Sequence, residues 1–599
     1  MQLILDNLYL FEDTCNIYVI RTENSAVLVD FGSGAVLSHL SAIGVEQVSA
    51  VLMTHHHRDQ GQGLARAVEA GIPIWVPHTE QDLFRQVDAH WQAREIYMNY
   101  NMRQDRFSLL EPVPIAGTLQ DYATYQFGAC AVTVIPTPGH TTGSITLWLE
   151  HDGNRIAFTG DLIAGPGKVW SMAATQWTYN GAEGVPASIA SLLDLKERQP
   201  NLLLPSHGSP MPEPAPAIDL LVQRFWQLLQ LRGQNQRLFE LRQHPYEIIT
   251  PHLLAHRASV ANSYVLLSQS HKALMIDFGY DFITGIPLGS DRASRRPWLY
   301  TIPTLKRQFG IEKIDVVLPT HFHDDHVAGI NLLRAVEGTQ VWSAALFADI
   351  LENPAHYDLP CLWFDPIPVD QRLPLERPIQ WEEYTFTLYP LPGHTRYAVA
   401  IHFEVDGYSV LATGDQYQGD NGLELNYVYP NRFDAGDYMK SAELYKRLRP
   451  DVILTGHWKP FWVPFNYFGK LEQMGTELER LHRELLPEVP DLGTEGFLAR
   501  ITPYQATAQG GQTLEFQVEI RNPFNRVAQA TITMVVPPGW EVTGQQTPIS
   551  LEPLAVRHVP VRIKIPATFS GRRARIAADI TIDGQQFGQQ AETLVSAIK

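Results

Sequence analysis

The sequence predicts an α/β fold carried twice in tandem, followed by an all-β sandwich. The chain repeats itself at long range. In both copies short strands rich in branched residues alternate with helical segments, the pattern of a layered α/β architecture. From about Thr494 the texture changes, and apolar residues alternate with polar ones as in half-buried strands.

The repeat can be followed strand by strand. Asn16-Ile17-Tyr18-Val19-Ile20 and Ala26-Val27-Leu28-Val29-Asp30-Phe31-Gly32 return as Asn262-Ser263-Tyr264-Val265-Leu266-Leu267 and Ala273-Leu274-Met275-Ile276-Asp277-Phe278-Gly279. Each pair reads as two short strands joined by a turn and ending in Asp and Gly. A further apolar strand then runs into a histidine cluster, at 48–54 and again at 314–320.

Between the copies, Met211-Pro212-Glu213-Pro214-Ala215-Pro216 reads as a linker. It precedes an amphipathic stretch, 218–241, with Leu221, Phe225, Leu228 and Leu229 at helical spacing. A matching helix is expected over 471–485, and both helices are expected to pack on cores. The insert 281–303, rich in Gly, Pro, Ser and Arg, reads either as a segment shaping access to the second copy's site or as a disordered connection.

In the last hundred residues Leu514, Phe516, Val518 and Ile520 alternate with polar neighbours, as do Val559, Val561, Ile563 and Ile565. Asp583-Gly584 marks a hairpin turn. Short alternating strands over this length predict a β-sandwich. Around Asn522-Pro523-Phe524 and Pro537-Pro538-Gly539-Trp540 it resembles immunoglobulin-like domains appended to bacterial hydrolases, which implies packing or binding. The expected units are 1–245, 246–490 and 495–599.

Composition bounds the function. The chain has 599 residues, 45% hydrophobic and 18% charged, as folded globular proteins do. Its net charge of −18 repels phosphate backbones, so no nucleic-acid partner is expected. Nothing approaches the ~18 apolar residues of a membrane span. Cys15, Cys130 and Cys361 are scattered and fit a reducing compartment, and no basic, apolar leader opens the sequence. A cytoplasmic protein acting on a small molecule is the expectation, and nothing in the sequence fixes its oligomeric state.

The histidines carry the chemistry. The second copy has His321-Phe322-His323-Asp324-Asp325-His326, then Pro392-Gly393-His394-Thr395, Thr413-Gly414-Asp415 and Thr455-Gly456-His457. Five imidazoles and two carboxylates at strand ends suit a binuclear hydrolytic site, since imidazole binds zinc and similar metals and carboxylate can bridge two ions. His321, His323 and His394 are expected at one ion. Asp325, His326 and His457 are expected at the other, with Asp415 between. The first copy supplies His55, His57, Asp59, His140, Asp161 and His207 in the same order. The His-to-Asp step is 21 positions in both copies, and the following Asp-to-His step is 46 in the first and 42 in the second. His56 and His78 fall outside the pattern and read as ordinary polar residues.

This pattern resembles the metallo-β-lactamase superfamily over roughly 247–480 and again over 1–210. The resemblance implies two αββα sandwiches with a site at one edge of the packed sheets. It also implies a hydrolase working through a metal-bound hydroxide, with zinc as the expected cofactor and iron or manganese also compatible. Asp325 would hydrogen-bond the nucleophile and Asp415 would bridge. Aspartate at 415 and 161 looks more like the glyoxalase II, lactonase and phosphodiesterase branches than the β-lactamases. The expected substrate is therefore a small ester, thioester, lactone or amide.

Gln60 departs from the pattern, standing where the second copy has His326. A glutamine carbonyl is a weak zinc donor, so domain 2 is expected to hold two ions and domain 1 one or two, more weakly. An iron dioxygenase of the same superfamily remains an alternative, as does a non-catalytic binding role for domain 1. Trp170, Trp177, Tyr179, Tyr417, Tyr427 and Tyr429 read equally as pocket lining or core.

Overall fold

The computed structural model describes residues 1–94, 107–178, 183–233, 238–284, 291–543 and 548–597. In domain 1 a seven-stranded sheet runs in chain order from Gln2–Leu5 to Gly117–Leu119. Facing it is a five-stranded sheet in the order Leu202–Pro205, Asn154–Gly160, Ile145–His151, Cys130–Pro136, Thr124–Phe127. Leu8, Tyr18, Val27 and Leu52 of one sheet meet Val132, Leu147, Phe158 and Leu204 of the other in a buried core. Helices Gly184–Glu197 and Pro214–Arg232 cover the outer face of the smaller sheet. The expected helix 218–241 is divided: Pro214–Arg232 ends at Gly233 in a left-handed cap, and Leu238–Gln243 is separate.

Domain 2 repeats the plan. Seven strands run from Tyr246–Thr250 to Gln371–Leu373. A six-stranded sheet follows, and helices Asp437–Leu448 and Tyr467–Leu485 lie outside it. In both copies the last strand pairs of the large sheet are parallel, and the ligand-bearing loops leave the C-terminal ends of strands. The C-terminal region is a sandwich of four- and five-stranded sheets. Its strand Ala528–Val535 buries every second residue. Asp583 and Gly584, both at positive φ, turn Ala574–Ile582 into Gln585–Ala597 as a two-residue hairpin requires.

The insert of domain 2 is described over 281–284 and 291–303, and its second part is an interdomain anchor; residues 285–290 lie outside the described residues. Arg296 has no exposed surface. It forms a two-pronged ion pair with Asp121, Nη2 to Oδ1 at 2.8 Å and Nε to Oδ2 at 3.2 Å, and its Nη1 donates to the carbonyls of Thr142 and Ser144 at 2.9 and 3.0 Å. A buried guanidinium is tolerated only when its donors are satisfied, and here domain 1 satisfies them. The adjacent Arg295 turns the other way, to Asp324 Oδ2 at 2.7 Å. Among the described residues no helix is long and apolar enough to cross a membrane.

Candidate metal centres

In domain 2 the strand Lys313–Leu318 ends at Thr320, whose amide and hydroxyl both donate to Asp277, at 2.6 and 2.8 Å. That clamp starts the loop bearing His321 and His323, and the short helix Asp324–Val327 then brings His326 back towards it. His394 follows the strand Tyr384–Pro390, Asp415 follows Tyr408–Gly414, and His457 follows Val452–Thr455. Gly414 is required where it stands: its φ is +52°, and a Cβ there would lie 2.6 Å from Thr320 Oγ1.

All seven expected residues converge. His321, His323 and His394 form one group, and Asp325, His326, Asp415 and His457 a second, each with donor atoms within 4.8 Å of one another. His394 Nε2 is 3.1 Å from His323 Nδ1 and 3.5 Å from Asp415 Oδ2. Asp415 Oδ1 lies 3.2 Å from His326 Nε2, and Asp415 Oδ2 and Asp325 Oδ2 each lie 3.1 Å from His457 Nε2. Four donors around a zinc ion at ~2.0–2.1 Å would sit about 3.3 Å apart, so the spacing fits.

The unsatisfied atoms point the same way. His321 Nε2 is buried without a hydrogen-bond partner, and His326 Nε2 and Asp415 Oδ1, buried and facing each other, are not aligned for one, a costly arrangement unless something else engages them. The opposite ring nitrogens are held: His321 Nδ1 by Thr320 Oγ1, His326 Nδ1 by Asp277 Oδ2 at 2.9 Å, and His394 Nδ1 by the carbonyl of Asn426 at 2.8 Å. His323 Nε2 lies 3.0 Å from the Asn431 side-chain amide. Such outer partners fix the tautomer and aim the lone pair of each ring. Burial and the neighbouring His394 push His323 down to about 3, keeping it neutral as a metal donor must be.

Domain 1 gathers its triad equally well, with His55, His57 and His140 in one group and His140 Nε2 3.0 Å from His57 Nδ1. Asp161 Oδ2 approaches His140 at 3.4 Å and His55 at 3.7 Å. Its other half differs. Gln60 is buried where His326 stands in domain 2, with its Nε2 3.5 Å from Asp161 Oδ2. His207 is turned over: Nδ1 faces Asp161 Oδ1 at 2.8 Å, while Nε2 faces the carbonyl of Thr14 at 3.2 Å and Asp59 at 3.3 Å. In domain 2 it is Nδ1 of His457 that meets the equivalent carbonyl, of Val260, at 3.2 Å. Burial lowers the pKa of His207, but Asp161 and Asp59 outweigh it and raise it. Both rings thus set one nitrogen on a carbonyl and the other on aspartate, with the two nitrogens exchanged between the copies.

Several contributors escaped the sequence reading. Asp30 and Asp277 were visible only as strand ends, and Asn426 and Asn431 carried no motif. His56 pairs with buried Glu80 at 3.1 Å, and Glu80 accepts from Thr141 Oγ1 at 2.6 Å and from the Gly143 amide at 3.1 Å. That pair braces the His140 loop. His78 contacts Thr118, Gln120 and Asp365. Trp177 and Tyr417 are core residues. Trp170, 58% exposed, stacks on His207 with ring centroids 4.1 Å apart. Tyr427 and Tyr429 cluster with Phe433 and His482, and Tyr179 lies outside the described residues.

A family model described as the metallo-beta-lactamase superfamily matches residues 10–207 and 256–457. Among curated proteins, the chain is 25% identical over 230 residues to the beta-lactamase-like protein 2 homolog of Drosophila melanogaster, covering 37% of this chain and 68% of that one. It is 28% identical over 159 residues to a hydroxyacylglutathione hydrolase of Methylobacillus flagellatus, covering 26% of this chain and half of that one. Among solved structures it is similar to a class B3 di-zinc metallo-beta-lactamase from an Alaskan soil metagenome, at 16% identity and TM-score 0.30, over 41% of this chain and 95% of that one. A metallo-beta-lactamase family protein from Thermus thermophilus has 21% identity and TM-score 0.30, over 38% and 83%.

Proposed function

Since this chain is a hydrolase belonging to the metallo-beta-lactamase superfamily, we propose that domain 2 hydrolyses a small ester, thioester, lactone or amide with two zinc ions. The observation that carries this is the seven-residue donor set of His321, His323, Asp325, His326, His394, Asp415 and His457, gathered into two adjoining groups. The names of the hydroxyacylglutathione hydrolases it resembles favour the thioester within that range.

Bound zinc lowers the pKa of a coordinated water to roughly 7 and polarises a carbonyl oxygen. The chain's own residues do the rest. Asp415 reaches both groups and sets their separation. Asp325, whose side chain is 17% exposed, orients the attacking water and accepts its proton. His457, 28% exposed, is the group at the mouth of the site. Among the described residues the β-sandwich contributes to none of the donor groups. We take 1–245, 246–490 and 495–599 as the units, and a reducing, cytoplasmic setting fits the three free cysteines.

Domain 1 has a second reading, as a one-ion auxiliary site or binding module, because Gln60 stands where domain 2 has His326 and only His55, His57 and His140 gather there among the described residues. A panel of ester, thioester, lactone and amide substrates, run on zinc-loaded protein with the metal content measured, tests the proposal. Turnover that survives His394→Ala at full metal content would overturn it.

A further inference from the structure

We propose that Glu495, in the segment leading into the β-sandwich, is a positioning residue for the first donor group of domain 2. The inference rests on the reading of His323 and His394 as metal ligands. Both are held from outside by one loop, 426–433. The Asn426 carbonyl accepts from His394 Nδ1 at 2.8 Å, and Asn426 Nδ2 donates to the Asp415 carbonyl at 2.9 Å. Asn431, fully buried, meets His323 Nε2 at 3.0 Å. With its amide oxygen turned to the ring, Asn431 accepts the Nε2 proton and leaves Nδ1 free to face His394, and this also engages an oxygen that otherwise has no partner.

The loop has to be fixed at its far end, because the backbone turns left-handed directly after Asn431: Arg432 has φ +61°. The Arg432 amide donates to Glu495 Oε1 at 3.0 Å, and the hydroxyl of Thr494 donates to the next carbonyl, of Phe433. The other carboxylate oxygen of Glu495 pairs with Arg500 in the first strand of the sandwich, Ala499–Thr502. Asp491 is tied in the same way, to Arg521 at 2.6 Å, and the Asp491 amide donates to the Pro523 carbonyl at 2.8 Å. The path therefore runs from Arg500 through Glu495 and the Arg432 amide to Asn431 and His323. Among its described residues the sandwich joins no donor group, yet it anchors the carboxylate that fixes the ligand-holding loop.

The test is competition for Zn2+ against a chromophoric chelator, on the full chain, with affinities resolved for both domains. Removing a direct outer partner of a ligand costs about 10–100-fold in metal affinity, so Asn431→Ala should weaken domain 2 in that range. Glu495→Ala acts one contact further out and should weaken it roughly threefold to tenfold, while domain 1 stays unchanged. Glu495→Gln keeps an oxygen for the Arg432 amide and should restore most of the loss. Unchanged affinity in Glu495→Ala beside a weakened Asn431→Ala would overturn the inference. His323→Ala with undiminished zinc binding would overturn both the ligand reading and this inference.

Discussion

Ser206 Oγ donates to Asp30 Oδ2 at 2.6 Å, at the place in domain 1 where His326 Nδ1 meets Asp277 Oδ2 in domain 2. Asp30 and Asp277 are the same position of the repeat, and both clamp the first threonine of the histidine loop. With Gln60 in place of an imidazole, Asp30 would lose a donor, and the serine hydroxyl supplies one. Domain 2 has Gly456 at the serine position, where a Cβ would lie 1.8 Å from Asp415 Oδ1. Gln60 and Ser206 are thus a matched pair, and restoring the second donor group takes both.

Gln60→His by itself should therefore leave the zinc content of domain 1 near one ion, because Ser206 still occupies Asp30. Gln60→His with Ser206→Gly should raise it towards two. Elemental analysis after dialysis against limiting zinc decides this. A full second equivalent in the single variant would contradict the pairing.

The unmodified chain should hold three zinc ions, two in domain 2 and one in domain 1. Domain 2 offers its second ion four donors, while domain 1 has Gln60 in place of His326 and gathers no second group among the described residues. Zinc release monitored against chelator concentration checks this, and four ions released with equal ease would refute it.

Asp325→Ala should reduce turnover at least ~100-fold and leave the fold intact, since its loss removes the group that orients the water and one donor of the second set. Turnover measured beside circular dichroism of the metal-free protein separates the two effects. An active variant with full zinc content would remove Asp325 from the mechanism.

Arg296→Met should destabilise the chain by about 3–5 kcal/mol, the cost of breaking a buried ion pair and stranding its partner. Asp121 would lose the guanidinium that it holds at two points. Adding Asp121→Asn should recover part of that loss by removing the stranded charge. Urea unfolding reads both, and a loss under ~1 kcal/mol would mean the anchor is not a buried pair in solution.

The sequence by itself determined the two α/β copies and the sandwich, and its motifs contain the ten residues that the fold gathers into three donor groups. That much was legible because each ligand sits in a short motif at a strand end, and a strand followed by a small residue and a histidine keeps its meaning without knowledge of its neighbours. The inequality of the two sites was half legible, in Gln60. Tertiary structure decided the rest, because it depends on which distant atoms meet. Ser206 is an unremarked serine until Asp30, 176 positions away, is found 2.6 Å from it. The ring reversal of His207 follows from where Thr14 and Asp161 fall, and the insert becomes an anchor only because Asp121 waits in the other domain. A local pattern can specify a donor, but which of its two nitrogens is free is set by hydrogen bonds closed across the fold.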